Sequence, residues 1–477
     1  MKKFNYLILL LIVLAGAFLR VYKISQALNF SGELGDNLWQ VRTLIVNHEF
    51  PLYGPPTSHP WLFFSPFYYW LLIPVEKLAN YNPLGAVYLG EFLGIGLILV
   101  NFLTIKELFS NSVALVSSFF MAISPLWISF SRDARFYFWT VLFFYPLFYL
   151  LVKTVKEKKN YYLLTGLILG LMLGFHYSPV IFFPVLVIYF WLFRKAVKVR
   201  KLVNFLVGII FTFIPLLIYD SRQKFTMFKN LALWFPYRIA GFLGLYPKNQ
   251  LNVGSVATSL QSLVQMVGSS FVQSSPAWIF LTILFFVALT AIYFRNSRDP
   301  RYVILFFTVI FAVLASVIHG DSPIHYFLPI FPVPIILGAV AFNTLNRRRG
   351  GMAFQVILVV LLTTGSGLAF RNQMARVAAD KTSLNPQYVP YTTQLAVAKS
   401  IVQDARGQAY SIRRVGPDDY FPWDYSQNYR YLLWYFGNKP QDGQKIQYTI
   451  IEDWSRIPKF NGRTIMFLVN DIMIIKS

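Results

Sequence analysis

Long runs of apolar residues alternate with short polar segments along most of the chain. A membrane-spanning helix needs about 20 mostly apolar residues. Eleven runs approach or reach this length, at residues 4–24, 84–104, 112–130, 136–153, 161–177, 178–194, 202–219, 276–294, 301–319, 325–342 and 352–370. Proline interrupts several of them, which membrane helices tolerate because neighbouring helices can satisfy the freed backbone groups. The pattern predicts an all-α polytopic membrane protein with about eleven transmembrane helices over residues 1–370.

Two of the connecting segments are much longer than the others. The first covers residues 25–83 and the second covers residues 220–275. Apolar residues at helical spacing predict a surface helix from Asp36 to His48. Residues 61–79 are apolar but would invert every later loop if they spanned the membrane, so we interpret them as an interfacial or re-entrant helix pair broken at Pro66 and Pro74.

The composition changes after Arg371, where polar and acidic residues become frequent. Residues 392–405 have a helical pattern, and residues 409–413, 447–451 and 464–469 resemble strands. We therefore predict a second domain, a small extracytoplasmic α/β domain over residues 371–477. Its acidic and aromatic residues Asp418, Asp419, Trp423 and Asp424 are predicted to shape access for an acceptor.

Overall composition agrees with a membrane protein and excludes several classes of site. Hydrophobic residues make up 56% of the chain and charged residues only 13%, against about 25% in soluble domains. The chain contains no cysteine. Disulfides, thiolate metal sites, iron–sulfur clusters and cysteine nucleophiles are therefore excluded.

The net charge of +23 reflects membrane topology. Basic residues fall in alternate loops, all on one side of the predicted membrane: Lys2, Lys3, Lys106, Lys153, Lys156, Lys158, Lys159, Arg194, Lys195, Lys198, Arg200, Lys201, Arg295, Arg298, Arg301, Arg347, Arg348 and Arg349. The positive-inside rule makes this side cytoplasmic. We predict a plasma (inner) membrane protein with a cytoplasmic N-terminus and an extracytoplasmic C-terminus, and no nucleic-acid partner. The first run also has features of a signal peptide, but it continues past the Ala15–Ala17 cleavage motif, which favours a retained span.

The scarce ionisable residues on the outer side are the candidate chemistry. Glu33 and Asp36 follow the first span and are three residues apart, so a helix would place them on one face. Asp36 could instead be the N-cap of the helix that follows. Arg132, Asp133 and Arg135 lie in a short turn between two predicted spans. Ionisable groups at such positions favour a functional site.

These segments resemble the GT-C superfamily of polyprenyl-phosphate-dependent glycosyltransferases, in particular the family 39-like bacterial members related to protein mannosyltransferases and lipid A aminoarabinose transferase. The resemblance rests on Gly32-Glu33-Leu34-Gly35-Asp36, Gly54-Pro55-Pro56-Thr57-Ser58, the aromatic run Pro66–Trp70, Ser131-Arg132-Asp133 and His325-Tyr326. It implies a GT-C fold and transfer of a sugar from a polyprenyl-phosphate donor to an extracytoplasmic lipid, glycan or protein acceptor. Relatives usually have Asp-Glu where this chain has Glu33-Leu34, so the resemblance leaves the base as either Glu33 or Asp36.

The remaining site residues follow from that reaction. A carboxylate, Glu33 or Asp36, would remove the acceptor's proton. Arg132 and Arg135, or Lys224 and Lys229, would stabilise the departing phosphate; Asp133 could instead form a structural ion pair with either arginine. Further candidates for substrate contacts are His59, Tyr69, His176, His325 and Tyr326. We assign no metal site, although three of these histidines could hold a divalent metal. A transporter or flippase and a non-catalytic envelope assembly factor are the alternative classes.

Overall fold

The computed structural model describes residues 2–28, 30–197, 201–245, 253–345, 351–378, 389–416, 426–453, 455 and 465–477. In its first half the helices are α1 (Lys2–Val21), α2 (Ile24–Ala27), α3 (Gly32–Val46), α4 (Phe67–Leu78), α5 (Leu84–Leu108), α6 (Asn111–Ile123), α7 (Pro125–Arg132), α8 (Trp139–Lys156), α9 (Tyr162–Phe175) and α10 (Phe182–Leu192). The second half contains α11 (Leu202–Arg222), α12 (Thr226–Phe242), α13 (Val253–Ser269), α14 (Trp278–Arg295), α15 (Pro300–His319), α16 (Pro332–Leu345) and α17 (Gly351–Ala378). The C-terminal domain has α18 (Tyr391–Ala405), β1 (Ser411–Val415), α19 (Gln427–Tyr435), β2 (Gln447–Ile451), β3 (Ile465–Val469) and β4 (Ile472–Lys476).

All eleven predicted apolar runs coincide with helices. Within the described residues, seven helices are long and apolar enough to cross a membrane, and two bent pairs raise the number to nine. The bends are 58° between α6 and α7 and 52° at the start of α16, and a proline begins the second helix of each pair. The remaining two runs form the shorter apolar helices α9 and α10. The predicted fold class is thus confirmed.

The helices divide into an inner and an outer group. More than half of the residues in the apolar stretches of α5 and α8 are buried. In the apolar stretches of α1, α11, α14 and α17, fewer than a quarter of the residues are buried. Such exposed apolar surface is expected where a helix faces lipid rather than water. The inner helices include large, fully buried aromatic residues such as Trp127 and Tyr145. They form the rigid frame on which the short turns between helices are mounted.

Two predictions about the connecting segments are corrected, and the second long segment is found to contain helices. Residues 61–79 contain one helix, α4, which begins after Pro66 and continues through Pro74, rather than a broken pair. The second long segment is mostly helical where it is described, because it contains α12 and α13. The helix predicted to start at Asp36 starts at Gly32, with Ser31 as its N-cap.

The C-terminal domain is a small α/β unit. Its sheet has the order β1-β2-β4-β3, in which only β1 and β2 are parallel. Ser411 pairs with Gln447, Tyr448 with Lys476 and Ile465 with Lys476. The predicted helix and three strands are present within a few residues, while β4 and α19 were not predicted. Helix α19 packs against α3, so this domain contacts the segment that carries Glu33 and Asp36.

Candidate active site

Helix α3 presents two carboxylates on one side of its first two turns. The Ser31 hydroxyl accepts a hydrogen bond from the Leu34 N–H at 3.2 Å, which caps the helix. Glu33 therefore lies in the first turn, where the helix dipole favours a negative charge. Asp36 lies inside the helix, so the interpretation of Asp36 as the N-cap is wrong. The side chain that caps the helix is that of Ser31, immediately before Gly32.

Glu33 meets the turn between α7 and α8. An Arg135 Nη1 atom lies 3.6 Å from Glu33 Oε2, and Arg135 Nε lies 3.5 Å from Asp133 Oδ2. Each of these three side chains remains about one-third exposed (Arg135 32%, Glu33 36% and Asp133 30%). One arginine thus lies between two carboxylates that a ligand can still reach. The ion pair between Asp133 and Arg135, which was one of the sequence alternatives, is present.

The protein surroundings make these carboxylates better proton acceptors than free ones. Burial raises the pKa of Glu33, and the negative charge of Asp133 adds to the rise while Arg135 opposes it. Burial also raises the pKa of Asp133, against the charges of Arg135 and Arg132. The pKa of Asp36 rises to about 6, first through burial and then through the charge of Glu33, and a hydrogen bond from Gln40 opposes it. Carboxylates with raised pKa values are suited to general base catalysis near neutral pH.

A flat face of α5 supports the turn that carries Asp133 and Arg135. A Cβ atom on Gly90 would lie 2.9 Å from the Ser131 carbonyl oxygen and 3.0 Å from Ala134 Cα. Ala134 has a φ of 52°, which is uncommon for a residue with a side chain. The Tyr68 hydroxyl donates a hydrogen bond to the Ala134 carbonyl at 3.0 Å and helps to hold this conformation. The turn is therefore fixed from two sides, by α5 and by α4.

Arg132 has a different role from Arg135. Its guanidinium is buried and donates to the carbonyl oxygens of Leu19 at 3.1 Å and Tyr22 at 3.2 Å. These contacts tie α7 to the end of α1. Arg132 thus contributes to helix packing, and its contact with a donor phosphate stays a prediction. Arg135 is the arginine that stands beside the carboxylates.

Buried polar side chains in α1 and α5 lie close to Arg132. Arg20 is fully buried and donates to the carbonyls of Gly16, Met121 and Ala122. Glu91 is buried, and its carboxyl group interacts electrostatically with the guanidinium groups of Arg20 and Arg132. Burying a charge is costly unless opposite charges accompany it. The hydrogen bonds of Arg20 join α1 to α6, and those of Arg132 join α7 to the end of α1.

Aromatic and histidine rings continue from Arg135. Its guanidinium lies 5.8 Å from the ring centroid of Tyr137, which stacks on His325 at 4.7 Å. The ring of His176 lies 5.5 Å from that of His325 and 5.6 Å from that of Tyr326. Three predicted site residues, His176, His325 and Tyr326, are therefore brought together with Arg135. Tyr137 was not predicted, although its position two residues after Arg135 in a tight turn was a usable signal.

The histidine at the centre of this ring group is electrically neutral. This residue is His176, which directly follows the last residue of α9. Its Nδ1 atom accepts a hydrogen bond from the Ser178 N–H at 3.2 Å, which leaves Nε2 as the protonated nitrogen. Within the described ranges, no group of three or more His, Asp or Glu side chains is arranged to hold a metal ion.

Other predicted residues lie apart from the carboxylates. His59 stacks on Trp61 at 5.5 Å and meets the edge of Trp234 at 5.7 Å. Tyr69 lies in α4 and is buried, and its hydroxyl group interacts electrostatically with the carboxyl group of Asp36. Lys224 and Lys229 are exposed near the start of α12. The acidic and aromatic residues at 418–424 lie outside the described residues.

Comparison with known proteins supports the architecture. Residues 58–219 match the model of the dolichyl-phosphate-mannose-protein mannosyltransferase family. No curated protein gives a significant match.

Solved structures resemble the chain over most of its length. ArnT from Cupriavidus metallidurans in the apo state is 14% identical, with a TM-score of 0.58, and the match covers 100% of this chain and 98% of ArnT. ArnT bound to undecaprenyl phosphate is 12% identical, with a TM-score of 0.55 and coverage of 99% and 97%. The oligosaccharyltransferase AglB from Archaeoglobus fulgidus, in complex with an inhibitory peptide and a dolichol-phosphate, is 13% identical with a TM-score of 0.53. The match to AglB covers 91% of this chain but only 64% of AglB. The chain thus has the GT-C fold that ArnT also has.

Proposed function

We propose that this chain is a membrane glycosyltransferase that moves a sugar from a polyprenyl-phosphate donor to an extracytoplasmic lipid, glycan or protein acceptor. The observation that carries the proposal is the position of Arg135 between Glu33 and Asp133, with all three side chains partly exposed. A carboxylate and a guanidinium a few ångströms apart are the two groups that transfer from a phosphate leaving group requires.

Glu33 is the base in this proposal. It is partly exposed, it stands beside Arg135, and burial raises its pKa. Asp36 lies one turn further along α3, and its charge interacts with that of Glu33. Asp36 therefore tunes the site while Glu33 takes the proton.

The reaction follows from these roles. The Glu33 carboxylate accepts the proton of an acceptor hydroxyl, and the acceptor oxygen forms a bond to the anomeric carbon of the sugar. The bond between that carbon and the phosphate oxygen breaks, and the polyprenyl phosphate leaves with the electron pair. Arg135 stabilises the charge that develops on the phosphate. The rings of Tyr137 and His325 provide flat faces against which a sugar can pack.

The comparisons favour this donor class. Undecaprenyl phosphate is bound to one of the similar ArnT structures and a dolichol-phosphate to AglB. The matching family is described by its use of dolichyl-phosphate-mannose. All three involve a phosphate on a polyprenyl chain, which would reach the site from the bilayer.

Glu33→Gln tests the proposal in the purified full chain. The assay uses labelled polyprenyl-phosphate sugars as donors and envelope lipid extract as acceptor. The rate at which labelled sugar leaves the donor should fall by about 10²–10⁴ because the amide cannot accept the acceptor's proton. Asp36→Asn should cause a much smaller loss.

Glu49→Gln is the matched control, because Glu49 lies just beyond α3 and bonds to the Asn47 side chain instead of Arg135. It should transfer sugar at the wild-type rate. A larger loss in Asp36→Asn than in Glu33→Gln would make Asp36 the base. Movement of lipid-linked sugar across the bilayer without release of sugar would contradict the enzyme and identify a flippase.

A further inference from the structure

The helix that carries the carboxylates is in close contact with the C-terminal domain. A Cβ atom on Gly35 would lie 2.5 Å from the backbone nitrogen of Asn428, in α19. Cβ atoms do not approach backbone atoms so closely, so α19 reaches α3 only because residue 35 is glycine. Gly35 lies between Glu33 and Asp36 in the sequence, so this contact falls within the turn that carries both carboxylates.

Hydrogen bonds fix α19 at this position. The fully buried Asn428 side chain donates to the Phe30 carbonyl at 3.2 Å and to Gln394 Oε1 at 2.8 Å. Phe30 immediately precedes Ser31, the N-cap of α3. Asn428 thus connects the start of α3 to α18, which belongs to the C-terminal domain.

Aromatic and basic side chains extend the contact along α3. Trp39 and Trp434 meet edge to face with centroids 5.7 Å apart. The Arg42 guanidinium lies 5.1 Å from the Trp39 ring and 4.5 Å from the Trp434 ring, and Lys439 Nζ lies 4.4 Å from the Trp39 ring. A cation over the face of an indole ring is attracted by the negative charge of that face, so these contacts stabilise the docking of α19 on α3. The contact therefore continues for about two turns beyond Gly35.

A second anchor joins α19 to α4. The Tyr431 hydroxyl lies 2.9 Å from the Tyr81 carbonyl oxygen and 3.2 Å from Glu76 Oε2. Helix α4 also carries Tyr68, which holds the turn at Ala134. One helix of the C-terminal domain thus touches both elements that define the position of Glu33 relative to Arg135.

We propose that α19 is a positioning element that holds α3 in register with the α7–α8 turn and thereby regulates transfer. This inference rests on the proposed function, because it assigns a task to α19 in the same site. Displacement of a reacting group by about 1 Å can cost about 10²-fold in rate. The C-terminal domain would then control the chemical step without contributing a catalytic residue.

The test uses two variants that reach the contact from opposite sides. Gly35→Ala places a methyl group against the α19 backbone, and Asn428→Ala removes both hydrogen bonds while leaving α3 unchanged. Gly96→Ala is the matched control, since a Cβ at Gly96 has no atom within 4 Å. Two quantities are measured on the full chain: hydrogen–deuterium exchange of α3 and α19, and transfer kinetics.

We expect faster exchange in α3 in both variants and a kcat about 10–100-fold lower, with a donor KM within about twofold of wild type. The control should match wild type in both measurements. Faster exchange with an unchanged kcat would overturn the positioning role, and unchanged exchange in both variants would overturn the contact itself. A wild-type chain that transfers no sugar from any polyprenyl-phosphate donor would contradict the proposed function; the exchange results would then alone decide whether α19 holds α3.

Discussion

Two arginines separated by two residues differ in what they contact. Arg135 lies between Glu33 and Asp133, whereas the guanidinium of Arg132 donates to the carbonyls of Leu19 and Tyr22. The left-handed conformation of Ala134 reverses the chain between them. One arginine therefore faces the candidate active site and the other faces the packed helices.

Alanine substitutions should separate the two roles. Arg135→Ala should weaken binding of a short-chain polyprenyl phosphate by about 1.5–3 kcal/mol, the strength of a hydrogen bond to a charged group, and leave thermal stability almost unchanged. Arg135→Lys should restore only part of the affinity, since lysine lacks the bidentate fork. Arg132→Ala should instead destabilise the fold by roughly 3–5 kcal/mol because it leaves buried partners uncompensated. Binding titrations and thermal unfolding in detergent check both; equal effects of the two alanine variants on affinity would contradict the assignment.

At the scale of elements, the contact between α19 and α4 contains an ionisable group. Glu76 is fully buried, and burial raises its pKa from 4.5 to about 7, against the hydrogen bond from Tyr431. Glu76 interacts electrostatically with the hydroxyl groups of Tyr68, Tyr391 and Tyr431. The pKa values of these three tyrosines are raised, so their hydroxyl groups stay neutral near pH 7. The carboxyl of Glu76 is therefore the group that titrates in this contact near neutral pH.

Docking of the C-terminal domain should thus weaken as the pH rises. The folded chain holds a proton on Glu76 that the unfolded chain loses near pH 4.5, so this contribution to stability is complete below pH 4.5 and is lost as the pH rises through about 7. After correction for the intrinsic rise of exchange rates with pH, the protection of α19 against hydrogen exchange should decrease between about pH 4.5 and 7. Glu76→Gln, which remains neutral, should flatten this dependence. An equally steep pH dependence in Glu76→Gln would assign it to another group.

The sequence predicts elements better than it predicts contacts. Apolar runs located every described helix that is long and apolar enough to cross a membrane, because lipid requires about 20 apolar residues whatever the packing. By contrast, α19 was missed because its residues bury against α3 and the sheet through Asn428, Tyr429 and Tyr431, which do not form an apolar pattern. Ser31 and Asp36 are both good N-caps, and only the course of the backbone decides between them. Likewise, no local pattern distinguishes Arg132 from Arg135.

For the whole molecule, the distribution of charge predicts which side of the membrane each end occupies. Basic loops favour the cytoplasm, so Lys158, between α8 and α9, should be inside and Lys445, between α19 and β2, outside. Both residues are exposed, and the chain has no cysteine of its own.

Single-cysteine labelling tests this topology directly. In right-side-out vesicles, a membrane-impermeant maleimide should label Lys445→Cys at once and Lys158→Cys only after the membrane is permeabilised. The cysteine-free wild type gives the background. The reverse pattern would invert the predicted topology and place the candidate active site in the cytoplasm.

The hydrogen bond from Asn428 to Phe30 joins residues that are 398 positions apart. A ribosome that adds about 5–20 residues per second needs roughly 20–80 s to make the intervening chain. During that time the first helices can enter the membrane, but α3 lacks the helix that holds it. If α19 positions α3 as proposed, a nascent chain carries both carboxylates long before it can use them. Sugar transfer would begin only when synthesis is nearly complete, so unfinished chains would not consume donor.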